Sequence, residues 1–139
     1  MSKPAGYSGT PLAKKLGFKA GLRVKTKRAP AGYRELVEPI PDGVTLSPRL
    51  RGRVDILHMF VRRNSELQRD LPVALSAIEQ NGAIWVSWPK KSSGVASDVT
   101  EDRIRAAALP LGLVDIKVCA VDDVWSGLKL VIRRELRQS

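Results

Sequence analysis

From Leu22 to Lys27 the chain alternates. Leu22, Val24 and Thr26 fall on one side and Arg23, Lys25 and Lys27 on the other, which is the period of a half-buried strand. From Arg53 to Val61 both sides are mostly apolar. Val54, Ile56, His58 and Phe60 share one face and Asp55, Leu57, Met59 and Val61 the other, so an interior strand covered on both faces is predicted. Gly82 to Trp88 reads as a third, buried strand that stops at Pro89 and opens into Lys90, Lys91, Ser92, Ser93 and Gly94. Leu113–Val121 and Leu128–Arg134 form a closing pair. Their connection through Asp122–Gly127 is too short for a helical crossover, so they run antiparallel. Val44–Leu46 is a minimal strand.

Helical periods fill the gaps. Thr10 is placed to cap a short helix with Pro11 in its first turn, Leu12 and Leu16 on one face, and Gly17 as the stop. A second short helix passes through Leu36 and Val37. Ser65-Glu66-Leu67-Gln68 reads as a capping box, opening a helix whose buried stripe is Leu67, Leu71, Ala74, Leu75 and Ile78. Pro72 is expected to kink or restart it, and Asn81-Gly82 to end it. Asp98 to Thr100 caps a further helix that reaches Leu109 and stops at Pro110 and Gly112. Strands alternating with helices predict one three-layer α/β domain over residues 10–139, after a loose lead-in at residues 1–9. Its sheet is mostly parallel, with right-handed crossovers and a C-terminal antiparallel strand.

Charge adds a partner class to this picture. The 139 residues carry 24 Lys and Arg against 14 Asp and Glu, a net charge of +10, and no acid precedes Glu35. Such an excess concentrates polyanions near the surface. The partners expected are nucleic acid, a nucleotide-like anion or an acidic protein surface, and no membrane. A single cysteine, Cys119, allows no internal disulfide and fits a reducing cytoplasm. Cys119 and the single histidine, His58, lie mid-strand among apolar residues and read as core side chains. They are too few for a zinc site. Asp122-Asp123 reads as a turn cap, and no metal is expected.

In an open parallel sheet, ligands bind beyond the carboxyl ends of the strands. Lys27-Arg28, Arg62-Arg63 and Lys90-Lys91 each follow a predicted parallel strand. Together they predict a basic rim, with Ser92, Ser93 and Ser126 as neutral donors and Trp88 and Trp125 as stacking surfaces for a base. Spacing excludes a P-loop, since Trp-Pro precedes the lysines and glycine follows them. No catalytic residues are assigned.

The order of elements resembles the Rossmann-like methyltransferase fold. Leu22–Thr26 matches its first strand, Val54–Val61 its fourth, Ala83–Trp88 its fifth, and the closing pair its last two. In that family a glycine-rich turn follows the first strand and an acid ends the second. Here those places hold Lys27–Gly32 and Ser47-Pro48-Arg49, so S-adenosylmethionine is not expected as a cofactor. More closely, GYSGTPLAKKLG (residues 6–17), WVSWPKKSSG (85–94), the strand from Asp55 to Arg63, and ALPLGLVDIKVCAVDDVWSGLKLVIRR (108–134) resemble a family of small bacterial proteins described only as a domain of unknown function. That resemblance implies a cytoplasmic bacterial protein and carries no activity. The expectation is therefore a degenerate methyltransferase-like domain that binds an anionic ligand without catalysis. A reduced methyltransferase and a basic protein-docking module stand as alternatives.

Overall fold

The structure, a computed structural model, describes residues 9–138. Most of the expected lead-in at 1–9 lies outside the described residues. Ten regular elements follow in the order α1 (Leu12–Leu16), β1 (Arg23–Lys27), α2 (Tyr33–Val37), β2 (Thr45–Ser47), β3 (Val54–Phe60), α3 (Asn64–Ser76), β4 (Ile78–Pro89), α4 (Glu101–Ala108), β5 (Leu113–Ala120) and β6 (Trp125–Ile132). They build a single α/β domain around one sheet of strand order β2-β1-β3-β4-β6-β5. β2, β1, β3 and β4 are mutually parallel, and β6 runs antiparallel to both β4 and β5. The mostly parallel sheet and its antiparallel C-terminal strand are those expected.

Two cores sandwich the sheet. On one face α3 and α4 bring Leu67, Leu71, Ala74 and Ile104 onto Leu57, Met59, Ile84, Val86, Leu128 and Leu130. On the other, α1 and α2 bring Leu12, Leu16, Tyr33 and Val37 onto Ile56, Phe60, Trp85 and Trp125. Trp85 is completely buried, and its indole N–H donates to the Leu16 carbonyl at 3.0 Å. It ties α1 to the sheet by packing and by a hydrogen bond, because an indole donor buried without a partner costs stability.

Local structure departs from the sequence pattern at several points. Pro11, not Thr10, stands at the N-cap of α1. α3 begins at Asn64 and runs through Pro72 as one element. Pro72 faces solvent while Leu67, Leu71 and Ala74 are buried, so packing outweighs the lost backbone bond. Glu66, rather than Ser65, does the capping by accepting the amides of Arg62 and Arg63 at 2.8 and 3.2 Å. Asn81-Gly82 does not end α3. The helix stops at Ser76 and Ile78 already belongs to β4. β4 pairs Ile78 with Val54 and then Ala83 with Ile56, so the register slips there and Val54 turns to the α3 face. Gly82 sits in the slip. A methyl group on it would lie 2.8 Å from the Asp55 carbonyl oxygen, so close backbone approach selects glycine. β6 starts at Trp125 and leaves a shorter connection than the sequence predicts.

Candidate anion-binding cleft at the carboxyl rim

β1, β3 and β4 lie side by side and parallel, so their carboxyl ends share one rim. From β1 the chain first places β2 on one side and later β3 on the other. This reversal of winding separates the loops above β1 and β3 and leaves a crevice. At that position lies a cleft of about 270 Å³ lined by Arg28, Pro30, Phe60, Arg62, Glu66 and Trp125.

Arg28, just past β1, has φ 57°, a backbone conformation that non-glycine residues seldom adopt. Its guanidinium pairs with the buried Asp70 carboxylate and stands 3.5 Å from Glu66. Burial alone would raise the Asp70 carboxyl, but hydrogen bonds from Arg28 and Arg69 hold it below the usual range. Glu66 is lowered first by the bond from the Arg62 amide, against a smaller opposing effect of burial. The charge of Arg28 is thus compensated by two acids. Arg62 is different: its guanidinium lies over the Trp125 ring, 5.8 Å from the centroid. The described ion pairs do not engage the side chains of Arg62, Arg63, Lys90 or Lys91.

Aromatic packing supports the cleft from below. Phe60 meets Trp125 edge-on at 5.0 Å and stacks on His58 at 4.4 Å. His58 is held between the Tyr33 hydroxyl, 2.8 Å from Nδ1, and the Ser87 hydroxyl, 2.7 Å from Nε2. Burial lowers its pKa to about 3, and burial also raises the Tyr33 phenol. His58 is therefore neutral at ordinary pH. With His58 and Ser87 wholly buried, this chain orders the core under Phe60 and has no access to a substrate. His58 is a core residue, as its sequence position implied. Its partners Tyr33 and Ser87 were not singled out, because nothing local to either residue marks the pairing.

The other expected rim residues divide. The Lys90 ammonium donates to the Asp122 carbonyl at 2.8 Å, and the Ser93 hydroxyl donates to the Lys90 carbonyl at 2.6 Å. Arg63, Lys91 and Ser92 are exposed. Lys27 lines a separate groove with Lys25, Thr26, Met59 and Asp70. Trp88 is buried in the α3/α4 core, and its strand partner Ser126 is half-buried. Neither reaches the cleft. The Asp122 carboxylate accepts the amides of Val124 and Trp125 at 2.9 and 2.8 Å, which makes it the turn cap that the sequence indicated. Cys119 is half-buried on β5 rather than enclosed. Burial raises its thiol pKa and nearby Lys117 and Lys15 oppose the shift. Among the described residues no group of three or more His, Cys, Asp or Glu is placed to hold a metal ion, and no helix is long and apolar enough to cross a membrane.

Several solved structures of similar fold are methyltransferases. A putative type 11 methyltransferase from Sulfolobus solfataricus superposes with a TM-score of 0.64 at 12% identity, over 92% of this chain and 93% of that one. A SAM-dependent methyltransferase from Aquifex aeolicus gives 0.58 at 12% identity, over 87% of each chain. A putative methyltransferase from Thermoplasma acidophilum gives 0.58 at 7% identity, over 91% of this chain and 76% of that one. At these identities the likeness concerns the fold alone, the Rossmann-like methyltransferase fold that the order of elements resembled. No curated protein matches the chain. Residues 31–134 match the family described as "Protein of unknown function (DUF3052)", and the chain belongs to that family.

Proposed function

We propose that this protein is a non-catalytic binder of a phosphate-bearing, nucleotide-like ligand, free or as part of a nucleic acid. The ligand binds in the cleft above β1 and β3. The observation that carries this reading is Arg62: a cation that none of the described ion pairs engages, lying over Trp125 at the point where the sheet reverses its winding. A guanidinium in that position gives a planar surface to a base and a forked donor to a phosphate. Arg63, Lys90 and Lys91 add positive charge around the mouth.

Fold similarity favours a second reading, a reduced methyltransferase. The residues present do not fit S-adenosylmethionine. Arg28 reaches from the end of β1 to Glu66 and Asp70 of α3, across the crevice that a cofactor would need. β2 gives way to Pro48 and Arg49 instead of an acid for ribose hydroxyls.

Titrations of ADP, a short single-stranded oligonucleotide and S-adenosylmethionine, followed by calorimetry and thermal shift, test both readings. Saturable binding of ADP or the oligonucleotide is expected, together with no response to S-adenosylmethionine. Affinity for the oligonucleotide should fall steeply with salt. Binding of S-adenosylmethionine alone would overturn the proposal.

A further inference from the structure

A second basic cluster lies away from the rim, where α1 meets β5 and β6. Lys117 and Lys129 are directly paired across the β5–β6 ladder. Side chains so placed have Cβ atoms about 5 Å apart, and like charges there are destabilising. Lys129 is half-buried. Its ammonium lies beside the end of α1, and a methyl group on Gly17 would be 3.9 Å from it.

A lysine at a helix C-terminus ordinarily satisfies free carbonyls, but the last four carbonyls of α1 already have donors. The Ala13 and Lys14 carbonyls accept the amides of Phe18 and Gly17 at 2.9 and 3.1 Å. The Lys15 carbonyl accepts the Lys117 ammonium at 3.2 Å, and the Leu16 carbonyl accepts the Trp85 indole. The ion pairs among the described residues involve none of Lys19, Lys117 and Lys129. Asp115, the acid nearest in sequence, is held by Arg105. A half-buried ammonium therefore stands across from a like charge, and none of the described ion pairs engages it.

We infer that Lys129, with Lys117 across the strands, binds a tetrahedral oxyanion, namely a phosphate group. Lys117 keeps two N–H donors after its bond to the Lys15 carbonyl, and Lys129 keeps three. A phosphate between them would convert like-charge repulsion into charge-assisted hydrogen bonds. Burial, followed by the charges of Lys117 and Lys19, lowers the Lys129 pKa. The site is independent of the rim cleft.

The test is thermal unfolding of the full chain in a zwitterionic buffer, titrated with sodium phosphate against sodium chloride at equal ionic strength. Wild type and Arg62→Ala should both gain stability with phosphate. Lys129→Met should be at least as stable as wild type without phosphate, and its apparent phosphate affinity should fall by about tenfold or more. An unchanged phosphate response in Lys129→Met, or its loss in Arg62→Ala alone, would overturn the assignment. Acetylation of lysines by an N-hydroxysuccinimide ester, read by mass spectrometry, needs no variant. Phosphate should slow modification of Lys129 and leave the exposed Lys14 unaffected. Protection by inorganic phosphate or by the terminal phosphate of a short oligonucleotide sustains the site, and the stronger of the two identifies its source. Protection by neither removes it.

Discussion

The guanidinium of Arg62 lies 5.8 Å from the centre of the Trp125 ring, joining the end of β3 to the start of β6 across the mouth of the rim cleft. Arg62 is exposed, whereas Trp125 is part of the core. Arg62→Ala should therefore leave the unfolding midpoint nearly unchanged and weaken ADP or oligonucleotide binding by about tenfold or more, the loss of a charge-assisted contact. Lys91→Ala should weaken oligonucleotide binding less and flatten its salt dependence, as a lost phosphate contact does. Calorimetric titration at two salt concentrations checks both, and unaltered affinity in Arg62→Ala would remove the rim as the site.

Asp70 anchors Arg28 and is itself buried. Asp70→Asn should cost about 1–3 kcal/mol at neutral pH, because it replaces a charge-assisted bond and leaves Arg28 without its main partner. The Asp70 carboxyl is held below its unfolded value, so its stabilisation is complete above the usual carboxylate range. It is lost as pH falls through the folded pKa. Denaturant titrations from pH 6 to 2 should show a shallower acid loss in the variant than in wild type.

His58 makes a separate contribution at milder pH. Its folded pKa is lowered to about 3 from the ordinary value of 6.5, so below 6.5 the unfolded chain takes up a proton that the folded chain does not. Stability should fall by roughly 1.4 kcal/mol per pH unit between about pH 6 and 4.5. His58→Gln should lose that slope and be less stable at pH 7 by about 1–3 kcal/mol. As the sequence has one histidine, its imidazole resonances are unambiguous. Titration near pH 6.5 in the folded protein would contradict the buried chain of Tyr33, His58 and Ser87.

Gly82→Ala should destabilise by about 1–3 kcal/mol or more. The added methyl meets the carbonyl oxygens of Asp55 and Glu79 at 2.8 and 3.0 Å, and backbone cannot rotate away as a side chain can. Urea unfolding checks it; Gly94→Ala is not a suitable control, because its φ of 76° is strained for alanine.

The chain alone sets the class of fold. Period-two and period-3.6 patterns place the strands and helices, and the short link after Val121 forces the last two strands antiparallel. It also determined that basic pairs follow β1, β3 and β4, because those residues are adjacent in the chain to the strand ends. Which of them meet depends on the folded arrangement. Arg28 and Arg62 line one cleft, Lys27 lines another groove, and Trp88 and Ser126 sit away from the cleft. The direction of a side chain beyond a strand end depends on the turn it enters and on partners distant in sequence, such as Asp70 for Arg28 and Trp125 for Arg62. The pairing of Lys117 with Lys129 was hidden for a related reason. A register slip between Asp115 and Lys117 sets which residues face each other, and cross-strand register is fixed by packing of the whole sheet, which no local pattern encodes.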